Sequence, residues 1–171
     1  MTGNPPLSSQ QAALFQSLNA HGISVNIYRH QPVYTCEQAD ALGLHTDANP
    51  TKNLLLKDRK GKQFFLVVLQ GKATVNLAGL SEALGTSRLS FASSQQLETY
   101  LQAQSGAVSV IDVMNDPEHR VSLVIANAIW QVQAVECQPF CHDQTWVIAT
   151  QDLARWLRAI GRDYQTVEHV A

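Results

Sequence analysis

The run Lys52-Asn53-Leu54-Leu55-Leu56-Lys57-Asp58-Arg59-Lys60-Gly61-Lys62-Gln63-Phe64-Phe65-Leu66-Val67-Val68-Leu69 places two apolar segments around a polar, glycine-containing centre. Apolar runs flanking such a turn predict a β-hairpin. Toward the N-terminus, Ser8 and Ser9 suit the cap of a helix carrying Leu14, Phe15 and Leu18, with Gly22 past its end. Ile23, Val25 and Ile27 alternate with polar residues as a half-buried strand ending near His30. Thr35-Cys36-Glu37-Gln38 fits a capping box that opens a short helix to Gly43.

Toward the C-terminus, Leu77, Leu80 and Leu84 recur at helical spacing and stop at Gly85. Leu89 and Phe91 predict a short strand, and Ser93 caps a helix bearing Leu97, Tyr100 and Leu101. Residues 107–113, 121–125, 129–135 and 145–149 read as further strands, with the turn-forming Asn115-Asp116-Pro117-Glu118 between the first two. Thr150 is expected to cap a last helix whose Leu153, Trp156, Leu157 and Ile160 face inward. Strands joined by hairpins and mixed with short helices predict an α+β fold: a mixed, mostly antiparallel sheet with short helices packed around it.

At 171 residues and 18.8 kDa the chain has room for one domain with its own core. Hydrophobic residues make up 45% and charged residues 15%, a balance that excludes a disordered chain. A formal charge of -2 and a pI near 6.3 exclude a general polyanion binder, so nucleic acid would have to meet a local patch. The concentrated basic cluster is Lys57, Arg59, Lys60 and Lys62 at the hairpin tip, where a solvated turn is the plain reading. The N-terminus lacks the basic and apolar regions of a secretory signal, and no apolar stretch approaches the ~20 residues that span a bilayer. Cys36, Cys137 and Cys141 are therefore expected as reduced thiols in a cytoplasmic protein, with no membrane partner.

Few motifs carry chemistry outright. No glycine-rich phosphate loop, nucleophile elbow or His-Glu-x-x-His pair is present. Cys137-x-x-x-Cys141-His142 has a spacing that zinc permits, but a second ligand pair is missing and Cys36 would have to complete the site. Trp130, Trp146 and Trp156 read as core residues. Lys52 stands at the mouth of an apolar strand, where its charge either meets an anion or snorkels to water. Gly106-Ala107-Val108-Ser109 brings backbone close to whatever lies opposite, or is simply a strand entry.

The order of segments then says more than any single motif. His30-Gln31-Pro32-Val33-Tyr34-Thr35-Cys36-Glu37-Gln38-Ala39, Lys52 to Asp58, Leu84-Gly85 with Arg88 to Ser93, Gly106 to Ser109 with Asn115-Asp116, and Thr145 with Asp152-Leu153 occur in sequence. Together they resemble the YbaK-like aminoacyl-tRNA editing proteins, free-standing relatives of the editing insertion in bacterial prolyl-tRNA synthetase. Within that family the likeness is nearest to trans-editing proteins that act on Ala-tRNA(Pro). It covers residues 10–162, leaving 1–9 and 163–171 as expected tails.

The resemblance implies metal-free and cofactor-free hydrolysis of the aminoacyl ester by a positioned water and the terminal ribose hydroxyl. It assigns Lys52, Gly106, Val108 and Ser109 to the catalytic set, with Lys52 on the terminal phosphate and the glycine loop framing the ester. Thr35, Asn53, Gln138 and His142 form the substrate-binding set. The expected partner is the acceptor end of mischarged tRNA, with prolyl-tRNA synthetase as a candidate second partner and DNA not expected. Val110, Gln138 and His142 depart from the family's proline, histidine and asparagine. Gln138 cannot carry a proton as histidine can. A family member that binds aminoacyl-tRNA without hydrolysing it is the alternative these departures suggest.

Overall fold

The computed structural model describes residues 6–43, 46 and 48–168. Helix α1 (Ser9–Ala20) opens on a complete capping box: the Ser8 hydroxyl accepts the Gln11 amide, and the Gln11 side chain accepts the Ser8 amide. Leu14 and Leu18 are buried on its inner face, while Phe15 stays 40% exposed, edge-on to Trp146. Strand β1 (Asn26–Arg29) follows, and then α2 (Cys36–Leu42), capped by the Thr35 hydroxyl on the Gln38 amide and ended by left-handed Gly43. The predicted box at α2 is shifted by one residue, because the Gln38 side chain reaches the Tyr34 amide.

The hairpin is as predicted. Strands β2 (Thr51–Lys57) and β3 (Phe64–Gln70) pair antiparallel from Thr51↔Gln70 to Lys57↔Phe64. At the tip the Asp58 carboxylate accepts the Lys62 and Gln63 amides, and these bonds, Gln63's foremost, hold its carboxyl below the usual range. Next come α3 (Leu77–Leu84), the two-residue β4 (Ser90–Phe91), and α4 (Ser94–Leu101) with a second complete capping box at Ser93. Strand β5 (Val121–Ala126), β6 (Ala134–Cys137), β7 (Gln144–Ala149), helix α5 (Thr150–Ala159) and β8 (Tyr164–Val167) complete the order.

These strands make two sheets. One has the order β4-β2-β3-β5-β8, antiparallel through the hairpin and parallel from β3 onward; the other is antiparallel, β1-β7-β6. β3 lies at the centre of the larger sheet, covered on both faces, which is why Phe64–Leu69 is an unbroken apolar run. Asn49 joins the sheets: its amide donates to Ala134 and its carbonyl accepts from Glu136, both at 3.0 Å. This α+β arrangement, antiparallel-rich with short helices, is the predicted class.

Four local expectations give way. Residues 107–113 are not a strand: Val110–Asn115 is a 3-10 helix, whose start is held by the Asp112 carboxylate on the Ser109 amide at 2.8 Å. That side-chain bond takes a backbone donor a sheet ladder would need. Residues 127–131 form another 3-10 helix, so the predicted strand 129–135 shrinks to β6. Ala149, not Thr150, is the cap of α5, and the Thr150 hydroxyl is buried without a partner. Finally, described residues at both ends of the expected domain belong to the fold. Leu7 packs on the core and α1 starts at Ser9, while β8 falls inside the predicted C-terminal tail. β8 is held because Arg162, 5% exposed, donates to the Asp116 carboxylate at 3.2 Å and to the Asp116 and Val121 carbonyls.

Candidate active site

A cleft of about 670 Å³ opens where the start of β2, the end of β6, the segment after β1 and the loop after α4 converge. Thr35, Lys52, Asn53, Gly106, Val108 and Gln138 of the predicted residues line it, together with His30, Lys72, Glu136 and Thr145. A second, shallower groove of about 680 Å³ beside α3 is mainly apolar and brings together no acid–base group other than Arg88. Only the first cleft gathers polar groups from distant parts of the chain, which is the property of a reactive site.

Half-buried Lys52 donates one ammonium hydrogen to the Ala73 carbonyl at 2.7 Å, leaving two for a ligand. Asn53 is set by a short chain of donors. The Thr51 hydroxyl gives its proton to the Glu136 carbonyl, an acceptor only, and so accepts from Asn53 Nδ2 at 3.0 Å. The amide orientation follows, and Asn53 Oδ1 is a buried acceptor with no partner. Such an atom costs roughly 1–3 kcal/mol until a donor reaches it. Thr35 lies exposed at the cap of α2.

Gly106 has φ +84°, and a Cβ there would stand 2.7 Å from the Tyr34 carbonyl oxygen, so only glycine fits. In the same loop the amides of Ala107 and Ser109 are used, on the Gln104 carbonyl and the Asp112 carboxylate. Among the described residues no acceptor meets the amides of Gly106 and Val108. Two residues that line the cleft thus carry backbone donors not spent within the fold.

Two predicted residues act from behind that wall. Ser109 is fully buried; its hydroxyl accepts the Gln138 amide at 3.3 Å and braces loop against strand. His142 donates Nε2–H to the Ser105 carbonyl at 3.0 Å, and its ring stacks on Tyr34 with centroids 4.4 Å apart. Neither side chain is a cleft-lining group. Val110 is buried at the start of the 3-10 helix.

Burial pushes the Asp112 carboxyl well above its usual range, and one of its oxygens has no partner. Burial likewise lifts the Cys137 thiol to about 12 and the Cys141 thiol to about 11. Neither is a thiolate at neutral pH, so neither of these two thiols is poised as a nucleophile. Among the described residues, no three His, Cys, Asp or Glu side chains converge as a metal site.

Sequence reasoning placed His30 and Thr145 in family-like stretches but gave neither a role in the site. His30 Nε2 is 2.9 Å from the Thr145 hydroxyl, and Nδ1 is 2.7 Å from the Gln31 carbonyl. The pairing of Tyr28 with Thr145 across β1 and β7 brings them together, and no local signal announces it.

The model of the aminoacyl-tRNA editing domain matches residues 30–156. This chain belongs to that family. It is 31% identical to the prolyl-tRNA editing protein ProX of Acetoanaerobium sticklandii over 91% of this chain and 95% of the other. It is 27% identical to the prolyl-tRNA synthetase associated domain-containing protein 1 of Mus musculus, covering 91% of this chain and 94% of the relative. A solved candidate trans-editing enzyme for prolyl tRNA synthetase shares the fold, with a TM-score of 0.68 at 16% identity over 97% of this chain and 99% of that one. The editing-domain resemblance read from the sequence motifs thus holds, and so does the fold it implied. Among the described residues no helix is long and apolar enough to cross a membrane.

Proposed function

We propose that this chain removes alanine from mischarged tRNA(Pro) by hydrolysing the aminoacyl ester at the acceptor end. Aminoacyl-tRNA deacylation is the activity of its family, and the Lys52 ammonium, held at the cleft with two donors unspent, carries the reading at this site. The terminal phosphate meets Lys52, and the ester carbonyl points to the free amides of Gly106 and Val108. Two backbone donors held by a rigid glycine turn stabilise the oxyanion as water adds to the carbonyl. No group in the chain needs to become a covalent nucleophile.

The need for such a step is energetic. A synthetase pocket gains only about 1–3 kcal/mol per methylene, too little to reject a smaller amino acid by binding alone. A second site that admits alanine and excludes proline supplies the difference, and Gln138 lines the wall where the side chain would lie. The substrate pool is cytoplasmic, and prolyl-tRNA synthetase is the natural source of the mischarged species.

The test is deacylation of Ala-, Ser-, Thr- and Cys-charged tRNAs by wild type and Lys52→Ala. Turnover of the alanyl species, falling at least about tenfold in kcat/KM for the variant, supports the reading, since a charge-assisted contact contributes roughly 1.5–3 kcal/mol. Absence of turnover on every tRNA, with binding intact, would instead establish a family member that binds without hydrolysis.

A further inference from the structure

The geometry points to Thr145 and His30 as the groups that take the proton from the attacking water, an assignment that rests on the deacylase reading above. Both side chains line the cleft, Thr145 buried at 6% exposure and His30 half-buried. The direction of their hydrogen bonds follows from what each partner can do. The Gln31 carbonyl can only accept, so His30 Nδ1 carries a proton, and in the tautomer with that single proton Nε2 holds a lone pair. Thr145 therefore donates its hydroxyl proton to Nε2 across 2.9 Å. With that proton committed, the Thr145 oxygen has lone pairs left to accept from a water in the cleft.

A hydroxyl bonded to an imidazole whose other nitrogen is fixed by a third group is the arrangement by which enzymes activate a nucleophile. Here the oxygen it serves is the water's. The water oxygen forms a bond to the acyl carbon; its proton passes to Thr145 Oγ1 as the Thr145 proton passes to His30 Nε2. The carbonyl electron pair moves onto oxygen, then returns as the bond to the ribose oxygen breaks. That oxygen takes the proton back from His30 through Thr145. The products are the free amino acid and the tRNA hydroxyl, with no outside co-reactant. Thr145 touches the reacting water, and His30 acts through it.

The experiment uses the mischarged tRNA that wild type turns over and compares Thr145→Val, Thr145→Ser, His30→Ala and His30→Ala with added imidazole, after subtraction of uncatalysed deacylation. Thr145→Val keeps the shape of a buried strand residue, and tRNA binding is measured beside turnover to establish that each variant is folded. The expected result is a kcat lower by about 10²–10⁴-fold in Thr145→Val and His30→Ala with KM nearly unchanged. Thr145→Ser should keep most of the rate, and imidazole should raise His30→Ala several-fold. The assignment is overturned if either non-polar variant retains its kcat, or if kcat falls but neither serine nor imidazole restores it, as for a purely structural pair. Activity in wild type with such a result removes this inference alone; a wild type inactive on every tRNA removes the deacylase reading and this one with it.

Discussion

At Gly106 two constraints coincide: a left-handed backbone at φ +84° and a carbonyl, Tyr34's, 2.7 Å from where a Cβ would sit. Gly106→Ala must therefore move the loop that presents the Gly106 and Val108 amides. We expect a stability loss of about 1–3 kcal/mol, with kcat falling more than tRNA affinity, measured by urea melts and single-turnover deacylation. Asp112, in the 3-10 helix behind that loop, gives a second residue-scale prediction. Its carboxyl keeps its proton to a higher pH in the fold, because burial disfavours the charged form, whereas the unfolded chain ionises near 3.8. Folding then takes up a proton above that pH, so the stability from this group is complete below 3.8 and is lost as pH rises toward the folded value. Asp112→Asn is always neutral. Melting temperatures from pH 4 to 8 should show the variant gaining on wild type as pH rises, and a pH-independent difference would sink the assignment.

Among the elements, those with local chemistry were legible. The β2–β3 hairpin, the Ser8 and Ser93 capping boxes and the glycine stops at Gly43 and Gly85 follow from side chains within a few positions of one another. The 3-10 helices were not legible, because Val110, Ile111 and Val113 are as apolar as any strand and are all buried. What decides there is the single Asp112 bond to the Ser109 amide, against which β propensity is a weak preference. Six of the eight predicted site residues reach the cleft wall for a comparable reason: they stand at element ends, Lys52 and Asn53 at the start of β2 and Gln138 just past β6. Ser109 and His142 occupy the same loops but turn the other way, and a linear motif carries no information about which face a loop presents.

On the scale of the whole molecule, the Asp116–Arg162 pair closes the larger sheet. Both side chains are buried, and the carboxylate also accepts the Arg120 and Val121 amides. It ties the turn before β5 to the residue that leads into β8. Removing one partner strands the other charge in the interior, which costs about 3–5 kcal/mol. Arg162→Leu should lower stability by that amount and expose the amides of β8 to hydrogen exchange, while the cleft on the far side of β2 keeps its tRNA affinity. Loss of affinity equal to the loss of stability would contradict this separation.

The sequence alone determined the fold class, most of the elements and the family, because periodicity, caps and motif order are properties of neighbouring residues. It also brought Lys52, Asn53 and Gly106 forward as candidates. Only the tertiary structure decided that Asn53 Oδ1 is a buried acceptor without a partner, that Ser109 and His142 stand behind the wall, and that His30 meets Thr145 across two strands. Each depends on which of its possible hydrogen bonds a polar group makes. That choice is set by partners up to 115 positions away, brought into hydrogen-bond reach by packing of the core.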